Sequence, residues 1–102
     1  MRIELERTGG LAGMRMTAAV QTESLSPEDA RELQAMLDAA RFFDLPAALA
    51  SPTRGADRFV YRLTVEREAQ RHTVEMGEAA VPAALQPLVQ RLTALARSAR
   101  GG

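Results

Sequence analysis

The chain has 102 residues, 46% of them hydrophobic and 25% charged, which fits one globular domain over residues 1–102 with a modest core and is too short for two. Thirteen basic residues balance thirteen acidic ones, so no net field draws in nucleic acid or an anionic membrane, and neither is an expected partner. The absence of cysteine excludes disulfides and thiolate chemistry.

All the basic residues are Arg, which favours bidentate contacts, although a coding bias explains the usage more simply. The opening MRIELERTGG has no apolar core behind its Arg, and no window approaches the roughly 20 apolar residues of a membrane span. The expectation is a soluble, cytoplasmic protein without its own secretion signal, unless it is exported by another route.

In chain order, Arg2 to Thr8 alternates, with Ile3 and Leu5 on one face and Glu4 and Glu6 on the other, which predicts a strand. Met14 to Gln21 alternates again, and the glycines at 9, 10 and 13 permit the positive φ of a wide hairpin connection. Ser26-Pro27-Glu28-Asp29 is a helix start, with a capping serine, a proline at the first position and acids beside the positive end of the dipole. Ala30, Leu33, Met36, Leu37 and Ala40 then mark one apolar face, and the helix is expected to reach about Phe43, before Leu45-Pro46. Residues 46–56 carry two prolines, a glycine and no periodicity, and read as a long surface connection.

The stretch 57–77 is the organising unit. Phe59, Tyr61, Leu63 and Val65 alternate with Arg62, Thr64 and Glu66; after a polar break at Arg67 to Gln70, His72, Val74 and Met76 share a face. A hairpin follows. The last segment carries the stripe Leu85, Leu88, Val89, Leu92, Leu95, Ala96 and Ala99; Pro87 restricts the regular helix to about Gln86 to Arg97, after a turn at 82–86, with residues 100–102 fraying.

The order ββαββα with two amphipathic helices predicts an α+β fold, a four-stranded antiparallel sheet with both helices on one face, in order 2-1-3-4 or 1-2-4-3. With the first helix running the length of the sheet, the connections at 9–14, 43–57 and 77–81 should emerge at one end.

No reaction centre is legible. His72 is the only histidine and has no cysteine or second histidine with which to hold a metal, so it reads as a packed or interfacial side chain. Glu4 with Glu6, and Glu66 with Glu68, read as solvated strand faces rather than acid–base pairs. Gly9-Gly10-x-x-Gly13 joins strands and is followed by no Lys-Ser/Thr, so it is no phosphate loop. No catalytic residue, metal site or cofactor is expected. A small domain of this kind acts by occupying another protein.

Several motifs are shared with a known family: Glu6-x-x-Gly9-Gly10-x-Ala12-Gly13, Ala40-Arg41-Phe42-Phe43-Asp44-Leu45-Pro46, Asp57-Arg58-Phe59-x-Tyr61-x-Leu63-Thr64-Val65, His72-Thr73-Val74 and the Leu-rich closing helix. In that order they resemble the emfourin family, bacterial protein inhibitors of thermolysin-like (M4) zinc metalloproteases, often encoded beside a protealysin-like protease. The resemblance implies an inhibitor that blocks a substrate cleft, with zinc belonging to the partner. Such clefts accept bulky apolar side chains, and a glycine-flanked Leu11 offers one at low ordering cost. Gly9, Gly10, Leu11, Ala12, Gly13 and Met14 are the expected inhibitory edge, with Phe43, Leu45 and His72 as further candidates and one of Phe42 and Phe43 expected to cover the sheet end beside that loop. The rival reading is an interaction module docking through an open sheet edge.

Overall fold

The computed structural model describes residues 1–9, 14–49 and 59–101. In chain order it contains β1 (Arg2–Gly9), β2 (Met14–Gln21), α1 (Pro27–Ala39), β3 (Ala48–Leu49), β4 (Phe59–Arg67), β5 (Gln70–Gly77) and α2 (Gln86–Gly101). Short 3-10 turns lie at Thr22–Ser24, Phe42–Asp44, Glu78–Ala80 and Ala83–Leu85.

The alternation of the strands sets their register. Ile3 lies opposite Val65, Leu5 opposite Leu63, and Leu63 opposite Val74, so one face becomes a continuous apolar surface in which all five are fully buried. Leu33 and Leu37 of α1 and Leu88, Val89 and Leu92 of α2 cover it. Each such side chain contributes about 1.5–3 kcal/mol by leaving water, which makes the register costly to slip. The other face is solvated and laced with ion pairs: Arg2–Glu4 at 3.0 Å, Arg15–Glu6 at 3.4 Å, Arg62–Glu75 at 3.1 Å and Arg71–Glu66 at 3.3 Å. The acids Glu4, Glu6 and Glu66 therefore sit where a solvated face places them. Glu68 does not; it occupies the two-residue turn between β4 and β5 at φ 54°.

The sheet is five-stranded and mixed, in order β2-β1-β4-β5-β3, rather than four-stranded and antiparallel. Its first four members correspond to the expected order 2-1-3-4. The addition comes from the segment read as an irregular connection: Ala48 and Leu49 pair parallel with Glu75 and Met76, and Glu75 N donates to Ala47 O at 2.8 Å. The physical reason is the path of the first helix. Thr22 N donates to Met1 O, while Phe42 packs on His72, so the α1 segment starts and finishes at the same end of the sheet. From there the chain must run in the direction of β5 to regain the other end.

The helix start is as the sequence predicts: Ser26 Oγ accepts from Asp29 N at 3.2 Å and Pro27 takes the first position. The end is earlier than Phe43. α1 stops at Ala39, Arg41 turns left-handed at φ 50°, and Phe42 to Asp44 form a 3-10 turn. Burying Phe42 decides this, since the reversal at Arg41 delivers that ring to the core at 1% exposure. α2 begins at Gln86, where Pro87 lies within the first turn and needs no hydrogen-bond acceptor, and it continues to Gly101, past the expected limit near Arg97 and into the residues 100–102 expected to fray. Ser98, Ala99 and Arg100 contain no helix breaker to stop it. Glu32 and Arg91 join the two helices by an ion pair at 2.6 Å.

Candidate functional site

Two ends of the sheet carry the residues singled out by the sequence, and the strand register separates them. At one end Gly9 lies opposite both Met14 and Phe59, Val60 lies opposite Gly77, and Leu49 lies beside Met76. Gly9 has φ 114°, a left-handed-side value that a Cβ would oppose, which explains a glycine where the strand gives way to the connection. The apolar face closes here with Arg7, whose guanidinium lies 4.6 Å over the Phe59 ring. Gly10, Leu11, Ala12 and Gly13 lie outside the described residues, as do Asp57 and Arg58.

Phe43, Leu45 and His72 come together at the opposite end. His72 faces Val65, which faces Ile3, and Ile3 is six positions from Gly9 along β1, about 20 Å. The expectation that Phe42 or Phe43 covers the sheet end beside Gly9 to Met14 is therefore overturned. The chain leaves α1 at the far end, because α1 crosses the sheet instead of running its length. Of the three connections expected at one end, those after Gly9, Leu49 and Gly77 do leave together, while Phe43 itself does not.

His72 is a packed side chain. Its Nε2 donates to Leu45 O at 2.7 Å, which fixes the proton on Nε2, and its ring meets Phe42 edge to face at 5.4 Å. Phe42 and Phe43 are themselves edge to face at 5.7 Å. Phe43 remains half-buried, and the Arg67 guanidinium stacks on it at 4.9 Å. Arg7 and Arg67 were not singled out by their sequence, but a signal was present: both fall on the apolar parity of their strands, Arg7 after Leu5 and Arg67 after Val65. Long amphipathic side chains at the ends of an apolar row cover ring faces while keeping their charge in water.

The electrostatics are those of a surface. Among the described residues no polar or charged side chain is buried, and no three His, Cys, Asp or Glu side chains converge on a metal-sized site. Glu23 is held below the ordinary carboxylate range, first by its hydrogen bond from the Met1 ammonium and then by a backbone N–H. Among the described residues no helix is long and apolar enough to cross a membrane.

The described residues form a one-sided α+β domain, with both helices on the apolar face of the sheet. The emfourin family model matches residues 5–93, which is most of the chain, and the chain belongs to the emfourin family, whose general role is protease inhibition. The chain matches no curated protein and no solved structure.

Proposed function

We propose that this protein inhibits thermolysin-like (M4) zinc metalloproteases, of the protealysin type, by seating a non-catalytic surface in the substrate cleft. The observation that carries the reading is the emfourin family match across residues 5–93. The contact is the edge formed by Gly9, Gly10, Leu11, Ala12, Gly13 and Met14, with Leu11 filling an apolar pocket of the cleft. Two described features support this choice. Gly9 and Met14 are anchored in a ladder, so the connection has fixed ends, and the neighbouring strand ends at Leu49, Phe59 and Gly77 provide a rim beside it. Rigid ends reduce the ordering cost of binding.

Phe43, Leu45 and His72 form a second and weaker candidate surface, about 20 Å away along the strands. They serve the first contact only through a partner broad enough to reach both ends. The test is a titration of a thermolysin-like protease with this protein against a peptide substrate. Activity should fall stoichiometrically, and Leu11→Ala or Leu11→Asp should weaken inhibition tenfold or more, about 1.4 kcal/mol, with the thermal midpoint nearly unchanged. Full inhibition by both Leu11 variants contradicts the assigned edge; no inhibition by the native chain contradicts the function.

A further inference from the structure

The two edges of the sheet are unequal. Among the described residues β5 is bordered by β3, whereas β2 is the terminal strand on the other side. Edge strands of monomers are ordinarily guarded by proline, a bulge, inward-pointing charge or very short length. β2 has no proline, bulge or inward-pointing charge: its eight residues run in unbroken register with β1, and the exposed Arg15 is its only charge. Thr17, Ala19 and Gln21 are exposed on its solvated side, and Met16 is buried on the other, so α2 and the core hold the strand in place.

We propose that β2 pairs antiparallel with β2 of a second copy about a two-fold axis, joining two five-stranded sheets into one of ten strands. The occupant follows from the charges. A two-fold antiparallel seam sets the beginning of one strand against the end of the other. The beginning of β2 carries Arg15, whose side chain is 68% exposed, and just beyond its end stands Glu23, 66% exposed, whose Oε1 also accepts from the Met1 ammonium of its own chain. Each copy thus offers a cation to its mate's anion at both ends of the seam, and no like charges meet along it. Glu6, which faces Arg15 at 3.4 Å, keeps Arg62 at 4.0 Å as a second cation if Arg15 turns toward the seam. Paired residues of an antiparallel seam share a face, so both helix layers lie on one side and both solvated faces on the other.

Sedimentation equilibrium from about 1 μM to about 1 mM tests this. The native chain should pass from the mass of one chain toward that of two. T17K/A19K, altered only at exposed positions, should keep its circular dichroism spectrum and thermal midpoint and stay monomeric throughout. R15E should weaken association by about tenfold. A native chain that is monomeric across the range overturns the proposal. So does association that survives T17K/A19K, or an R15E variant that associates as tightly as the native chain.

Discussion

His72 on β5 donates from Nε2 to the carbonyl oxygen of Leu45 at 2.7 Å, tying the chain that has just left α1 to the strand it is about to border. This bond and the edge-to-face packing on Phe42 give the lone histidine a structural task. His72→Ala removes both and leaves a half-buried carbonyl without its donor. The expected cost is about 1–3 kcal/mol, measured by urea unfolding, with the midpoint shifted and the slope unchanged.

Phe42 and Phe43 are adjacent in sequence and unequal in burial, which sets a contrast. Phe42→Ala, at a site 1% exposed, should cost about 3–5 kcal/mol. Phe43→Ala loses a half-buried ring and the stack with Arg67 and should cost about 1–2 kcal/mol. Equal losses in thermal or chemical denaturation would contradict the burial assigned to the two rings.

Arg41 and Glu68 both hold positive φ, at 50° and 54°, without being glycine. Arg41 stands just past the end of α1, and Glu68 is the first residue of a two-residue hairpin turn, both places where glycine is favoured. Arg41→Gly and Glu68→Gly should each raise stability by about 0.5–1 kcal/mol, because relief of the left-handed cost exceeds the added freedom of the unfolded chain. A fall in the thermal midpoint for either would count against the backbone reversal at that residue.

The Glu23 carboxylate is stabilised in its charged form by the Met1 ammonium, so its folded pKa lies below its ordinary value. The sign follows from linkage. The stabilisation is present above the unfolded pKa and disappears as pH falls through the folded one. Glu23→Gln should therefore lower the thermal midpoint slightly near neutral pH, and the difference from the native chain should vanish in acid. A difference that grows on acidification would reverse the assignment.

The strands were legible because period-two alternation with one buried face leaves few registers: Ile3, Leu5, Leu63, Val65 and Val74 occupy the core positions that their spacing implies. The capping serine and the proline at position 27 were equally direct. What the sequence concealed depended on tertiary path. Nothing local in Ala47-Ala48-Leu49 marks a strand; it exists because Glu75 offers its N–H there and because α1 leaves the chain at the far end. The same path moved Phe43, Leu45 and His72 away from Gly9 and Met14, which no spacing between distant segments reveals. Arg67 over Phe43 is hidden for a related reason, since a stack between a hairpin strand and a 3-10 turn is set only when both are placed.

The proposed inhibition fills a protease groove and needs no reaction by this chain. Displacement of a fluorescent zinc-binding peptide hydroxamate from the cleft of a thermolysin-like protease tests it most directly. The expected result is complete release of the probe at one inhibitor per protease, with the inhibitor recovered intact. A probe that stays seated while the two proteins form a complex would contradict the account.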